Sequence, residues 1–190
     1  MMRTSISAAL LLDKLEGHEI IQEKALEMIR AEKSSEDYTN DPNQISNLDW
    51  KNSKDWERPW VKLVKPYLQK HFDKCAEHQG YVNSTIERMW YQRYSKPGDL
   101  HNWHIHSSSY TGVYYLKWAD NGDGETQVVE PCEQNKKLVL VVNEGDVVLF
   151  PSFAIHRSPI LIKDKEKIII SFNINFNDVQ KNIFWHLDHI

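Results

Sequence analysis

The residues of this chain whose types and spacing could do chemistry are three histidines. His104 and His106 stand two positions apart, so on a β-strand both imidazoles point to the same face. His156 follows fifty positions later and must come from another element. Imidazole nitrogens are common ligands of transition metals, so the three could hold one ion. The His-x-His pair alone is a weak signal, because polar residues that alternate toward water give the same pattern.

The other six histidines have simpler explanations. His101 lies three positions before the pair and is the main competitor for a ligand position. The remaining five occur in helical or terminal contexts, where solvation or hydrogen bonding is the expected role: His18, His71, His78, His186 and His189.

Composition describes a folded protein and excludes several classes. The 190 residues are 41% apolar and 26% charged, with seven Trp and eight Tyr, which is enough to build one core. A net charge of -4 gives no basic surface for nucleic acid. Cys75 and Cys132 form no zinc or disulfide pattern and are expected to be free thiols. Residues 6–12 are apolar but too short to span a membrane and lack a cleavage site, so we expect a soluble cytoplasmic protein.

Helices are expected in the first eighty residues. Residues 16–33 carry an apolar stripe of helical period, formed by Ile21, Ala25, Met28 and Ile29. A second stripe consists of Val61, Val64, Leu68, Phe72 and Cys75. Pro59 stands near the start of this second helix, and Pro66 is expected to kink or restart it. Residues 31–54 between the stripes are rich in Ser, Asp and Asn and are predicted to be a long surface connection.

Strand patterns fill the rest of the chain. The predicted strands are 85–94, 102–107, 110–118, 126–130, 137–142, 146–150 and 167–176. Short strands separated by Gly, Pro, Asn and Asp favour a sandwich or jelly roll over a parallel sheet. We therefore expect a mainly β fold with flanking α-helices. One domain is predicted, with a helical support region at 1–80, a jelly-roll core at 81–178 and a tail at 179–190.

The last predicted strand has two unlike faces. One face is wholly apolar and consists of Ile168, Ile170, Phe172, Ile174 and Phe176. The other face carries Lys167, Ile169, Ser171, Asn173 and Asn175. Such a strand suits a boundary between a core and a polar pocket, although a face turned to solvent has the same period.

Four segments in a fixed order carry a family resemblance. They are Tyr94 to His106, the TGVYYL run from Thr111, Gly145 to His156, and the EKIIISFN run from Glu166. This order resembles the prolyl hydroxylase-like oxygenases that depend on 2-oxoglutarate and Fe(II), in particular those of bacterial and phage type. The resemblance covers roughly residues 85–176 and implies a double-stranded β-helix, the cupin-like jelly roll.

The resemblance also implies a metal site. It makes His104 and His156 iron ligands and places the third ligand at position 106, where most of the superfamily has Asp. With His106 the site would be more positive by one charge, and three-histidine iron sites remain chemically reasonable. Asp123 and Glu125 are the alternative carboxylates, but they belong to a Gly-rich turn before a strand.

A cosubstrate contact is implied at Lys167, which would pair with the distal carboxylate of 2-oxoglutarate. This position is usually Arg, with Ser or Thr two residues later; Lys lacks the bidentate fork, and Ile169 replaces the hydroxyl. Further cosubstrate contacts are therefore expected from Tyr94, Tyr114, Ser171 and Asn173. Without the resemblance, Lys167 would be assigned to a solvated turn, and Tyr114 to core packing.

The implied reaction uses 2-oxoglutarate and O2 to hydroxylate a primary substrate that the sequence does not identify. Ascorbate is a possible additional cofactor. A homodimer is possible as the oligomeric state. Two alternatives remain: a cupin-like three-histidine dioxygenase without 2-oxoglutarate, and a non-enzymatic metal-binding jelly roll. The first alternative leaves Lys167 without a role.

Overall fold

The computed structural model describes residues 9–32, 43–118 and 122–182, which form two helices and ten strands. The helices are α1, His18–Ala31, and α2, Pro59–His78, and a short 3-10 helix spans Trp50–Asn52. The strands are β1 Leu11–Lys14, β2 Asn47–Leu48, β3 Tyr81–Tyr94, β4 His101–His104, β5 Tyr110–Lys117, β6 Gln127–Val129, β7 Lys137–Val139, β8 Asp146–Pro151, β9 His156–Ser158 and β10 Lys167–Val179.

The strands form two antiparallel sheets. The large sheet has the order β1-β8-β5-β10-β3-β2, and the small sheet has the order β4-β9-β6-β7. From β3 to β10 the chain alternates between the two sheets, except that β6 and β7 are neighbours in the small sheet. This arrangement is the predicted double-stranded β-helix with flanking helices.

Both helices pack on the outer face of the large sheet. α1 lies within the range 16–33 that its apolar stripe predicted. Residue 33 itself lies outside the described residues. α2 begins at Pro59 because the missing N–H of proline costs nothing in a first turn. The helix runs through Pro66 without ending there, so the expected restart does not occur.

The two predicted faces of β10 are confirmed. Its apolar face belongs to the core beneath the helices, with Ile168, Ile170, Phe172, Ile174 and Phe176 all buried. Its polar face is also buried from Lys167 to Asn173, whereas Asn175 is partly exposed, and Ile169 belongs to a second core between the sheets. The alternative of a solvent-facing surface is therefore wrong, and Lys167, Ser171 and Asn173 lie inside the molecule.

All seven predicted strands occur with shifted ends, and three further strands were not predicted. β1 and β2 are the two edges of the large sheet, although both come from the expected helical region. β9 has three residues, too few to show a period.

The expected surface connection at 31–54 is corrected for its second half. Asn47, Leu48, Asp49 and Ser53 are buried, and Asp49 forms an ion pair with the equally buried Arg58. This pair holds the segment against β3, because Asp49 Oδ1 also accepts the backbone N–H of Tyr91 at 2.7 Å.

The remaining expectations concern the cysteines, the membrane and the termini. Cys75 and Cys132 are not joined in a disulfide, as predicted. In the part of the chain that the structure describes, no helix is long and apolar enough to cross a membrane. His186, His189 and most of the predicted tail lie outside the described residues, and the domain boundaries stay a prediction.

Candidate metal centre

Pairing between β4 and β9 brings the separated histidines together. His104 lies directly opposite His156 in this ladder, and their ring centroids are 4.2 Å apart. His106 follows the end of β4, where its backbone N–H donates to Ser152 O at 2.9 Å. Its ring lies 5.0 Å from that of His104 and 5.1 Å from that of His156.

The three histidines form a cluster that can hold a metal ion. Each offers one nitrogen, and these nitrogens all lie within 4.8 Å of one another. No other group of three His, Cys, Asp or Glu side chains in the described ranges is arranged in this way. His101 stacks on His104 with a centroid distance of 4.0 Å but is not part of the cluster.

Backbone carbonyls orient two of the imidazoles. His104 Nδ1 lies 2.6 Å from Asn102 O, and His156 Nδ1 lies 2.9 Å from Ala154 O. Because a carbonyl oxygen only accepts, Nδ1 carries the proton in both rings and Nε2 keeps its lone pair. Such outer contacts fix the tautomer that a metal ligand needs.

Burial keeps the three imidazoles neutral. It lowers the pKa of His106 to about 4 and that of His156 to about 3, and it also lowers the pKa of His104. A neutral imidazole is the form that binds metal, so the donor set fits a divalent transition-metal ion at neutral pH.

The alternative carboxylates are engaged elsewhere. Asp123 accepts the backbone N–H groups of Ile162 and Lys163, both at 2.8 Å, and Glu125 accepts that of Gly122. They shape the turn before β6, as the sequence suggested, and neither joins the histidine cluster.

Lys167 is a buried cation. Its side chain is 1% exposed, and Nζ donates to Gly124 O at 2.6 Å and to Ser158 Oγ at 2.7 Å. The rings of Tyr94 and Trp118 flank the ammonium at 4.6 and 5.6 Å. Among the described residues no carboxylate lies within ion-pair distance of Nζ, and burial lowers the pKa of Lys167 to about 7. A buried ammonium with this environment fits an anionic ligand such as 2-oxoglutarate.

A chain of hydrogen bonds connects Tyr94, whose ring flanks Lys167, with the cavity that the three histidines line. Tyr94 donates its hydroxyl to Gln92 Oε1, and Gln92 Nε2 donates to Ser171 Oγ at 3.3 Å. Gln92 and Ser171 line the same small cavity as the three histidines. The sequence pointed to Tyr94 and Ser171 but missed Gln92, which the alternation along β3 places on the same face as Tyr94.

A family model matches the centre of the chain. Residues 88–173, 86 of the 190 residues, match the model of the family described as "Putative 2OG-Fe(II) oxygenase", and this range contains the histidine cluster and Lys167. This part of the chain is therefore similar to 2OG-Fe(II) oxygenases, the group that the resemblance indicated. No curated protein matches the sequence of the chain.

Solved structures share the fold of this chain at low identity. HygX from Streptomyces hygroscopicus, with nickel and 2-oxoglutarate bound, has a TM-score of 0.65 at 12% identity over 88% of this chain and 83% of its own. Viral collagen prolyl hydroxylase from Paramecium bursaria Chlorella virus-1 has a TM-score of 0.58 at 15% identity, covering 86% and 94%. A Pseudomonas putida prolyl-4-hydroxylase has a TM-score of 0.58 at 14% identity, covering 87% and 92%.

Two of the expected cosubstrate contacts, Tyr114 and Asn173, are not among the residues that line the histidine cavity. Tyr114 faces the helices, and its hydroxyl lies 2.6 Å from His18 Nδ1, so the expectation for Tyr114 is corrected to core packing. Asn173 accepts a hydrogen bond from Thr111 Oγ1 at 3.1 Å. It stands six positions from Lys167 on one strand, about 20 Å away. This separation argues against one small diacid touching both residues.

Proposed function

We propose that the chain couples oxidative decarboxylation of 2-oxoglutarate to hydroxylation of a substrate C–H bond, with Fe(II) held by His104, His106 and His156. The observation that carries the proposal is the convergence of three neutral imidazoles on one cavity, whose wall includes Ser158, the hydrogen-bond partner of the buried Lys167. Bound Fe(II) would supply the activation of O2 that the reaction requires. The protein's own tasks are to bind, to orient and to exclude water.

Lys167 is assigned to the distal carboxylate of 2-oxoglutarate. The acid would place a carboxylate directly against the buried ammonium, on which the described carboxylates of Glu125 and Asp123 act only from beyond ion-pair distance. Ser158 and Gly124 hold Nζ in place for it. Tyr94 flanks the ammonium with its ring and keeps it dry. Gln92 and Ser171 offer polar groups along the path to the histidines.

The bound structures of fold relatives support this assignment. HygX holds nickel together with 2-oxoglutarate, and viral collagen prolyl hydroxylase forms a 2-oxoglutarate complex. A three-histidine dioxygenase without 2-oxoglutarate is the weaker candidate, because a buried cation without a counter-ion is costly and would serve no purpose there.

Turnover tests the proposal. The Fe(II)-loaded protein is incubated with 2-oxoglutarate, O2 and a panel of peptides and metabolites, and succinate is measured. We expect succinate in the unchanged protein, a loss of nearly all of it in His156→Ala, and a higher 2-oxoglutarate requirement in Lys167→Met. Consumption of a chelating thiol or diketone without 2-oxoglutarate would establish the alternative, and metal binding without any turnover would leave a binding protein.

A further inference from the structure

A second cavity opens beside the histidine cluster. It measures about 360 Å³ and is lined by His104 and His106 together with residues from the 43–50 segment and β3. Small-molecule sites typically range from roughly 300 to 1,000 Å³. Because two of the three proposed ligands form its wall, a group that enters this cavity lies against the metal.

Half of the ten lining residues are apolar. They are Ile45, Leu48, Trp50, Trp90 and Ile105. The indoles of Trp50 and Trp90 meet edge to face with their centroids 4.5 Å apart, and the Trp90 ring lies 5.8 Å from that of His106. The two rings therefore make a corner that leads from the opening, where Trp50 is 36% exposed, to the histidines.

The other five lining residues are three uncharged imidazoles, of His101, His104 and His106, and two amides, of Asn43 and Gln92. The two amides already have partners within the protein. Asn43 Oδ1 accepts the backbone N–H of Asn102 at 2.8 Å, and Gln92 is bonded to Tyr94 and Ser171. No carboxylate, ammonium or guanidinium is among the described lining residues. Arg88 lies over the Trp50 ring, 5.2 Å from its centroid, where it donates to Ser53 Oγ at 3.1 Å.

We propose that the substrate presents an uncharged apolar group, aliphatic or ring-shaped, to this cavity. A charged group would lose its hydration there without gaining a counter-ion, whereas a flat apolar group gains contact with the two indoles. This inference rests on the proposed function, since it places the reacting carbon in the cavity. Trp50 and Trp90 are its specificity-determining residues.

Three probes of one shape test the proposal: benzamide, benzoate and benzylamine. Their binding to the full chain is measured by ligand-detected NMR, in the presence of Mn(II) and saturating 2-oxoglutarate so that the Lys167 site is filled. Only binding that Trp50→Ala removes is assigned to the cavity. We expect benzamide to bind there at least about tenfold more tightly than either charged probe.

The control is Trp103→Ala. Trp103 is 39% exposed, close to the value of Trp50, but it stacks on Arg157 instead of lining this cavity. Trp103→Ala should leave benzamide binding unchanged, and Trp50→Phe, which keeps a ring, should retain most of it. Thermal unfolding establishes that each variant is folded.

The outcomes separate the two proposals. Benzamide binding that survives Trp50→Ala, equal or tighter binding of a charged probe, or no benzamide binding at all would overturn the inference about the cavity. None of these results depends on turnover, so succinate formation remains a separate test of the proposed function.

Discussion

At the scale of single residues, the proposed metal site differs from the common pattern at position 106. An imidazole in place of a carboxylate leaves the site more positive by one charge. The 2-oxoglutarate dianion would offset that charge, and the proposed function assigns its far carboxylate to the buried Lys167. The three imidazoles and the ammonium thus form one charge arrangement, and each member can be tested separately.

His106 is expected to be a ligand and His101 is not. Removing a ligand costs more than the roughly 10–100-fold in metal affinity that follows loss of an outer-shell partner. We therefore predict that His106→Ala weakens Mn(II) binding at least tenfold, measured by calorimetry. His101→Asn, on the ring that stacks on His104, should change affinity little. The reverse order of effects would show that the ligand set is wrong.

Cosubstrate affinity is expected to depend on pH through Lys167. Burial lowers its pKa to about 7, and a bound carboxylate favours the charged form, so binding takes up a proton above that pH. Affinity for 2-oxoglutarate should then fall as pH rises above 7, by at most about tenfold per pH unit.

Lys167→Arg provides the matched control, because arginine stays charged over this range. Its 2-oxoglutarate affinity should be nearly independent of pH between 7 and 9, in calorimetric titrations of the Mn(II)-loaded protein. If the 2-oxoglutarate affinity of both proteins fell equally with pH, a group other than Lys167 would be responsible for the pH dependence.

At the scale of elements, the sequence was informative where a pattern repeats. β10 could be assigned face by face, because thirteen residues contain several periods of a strand. β9 could not, since it has three residues and its pairing with β4 is long-range. The segment at 43–54 was misjudged because its burial depends on the ion pair between Asp49 and Arg58, which composition does not reveal.

The buried pair of Asp49 and Arg58 is expected to hold the cavity wall. Burial raises the pKa of Asp49 to about 7, and Arg58 opposes this shift by favouring the carboxylate. At pH 8 the carboxylate is charged, and Asp49→Asn would leave a buried guanidinium unpaired. We predict a loss of about 3 kcal/mol in the free energy of unfolding, from urea denaturation.

The exposed pair of Glu57 and Lys62 serves as the control, with side chains 80% and 58% exposed. Glu57→Gln should not measurably change the free energy of unfolding, because exposed ion pairs contribute little. If the two variants were equally stable, Asp49 would not anchor the segment that carries Trp50.

At the scale of the whole molecule, the buried histidines link stability to acidity. Burial holds the pKa of His106 near 4 and that of His156 near 3, against about 6.5 in the unfolded chain. Between these values the unfolded chain binds protons that the folded chain does not. The contribution of these two histidines to the free energy of unfolding is therefore complete above pH 6.5. It is lost as the pH falls from 6.5 through their pKa values in the folded protein.

We predict that the metal-free protein loses stability from pH 6.5 to 4, with His106 contributing on the order of 3 kcal/mol. Urea denaturation at several pH values measures the slope. His106→Gln should reduce that slope, because glutamine takes up no proton. An unchanged slope would mean that His106 is solvated in the folded protein.

The most direct test of the account is an anaerobic titration of the Fe(II)-loaded protein with 2-oxoglutarate, followed by visible absorption. We predict a charge-transfer band that saturates as 2-oxoglutarate is added. The band should be absent in His156→Ala, and Lys167→Met should need a higher concentration of 2-oxoglutarate to reach saturation. Bound Fe(II) with no band at saturating 2-oxoglutarate, or an equal band in His156→Ala, would contradict it.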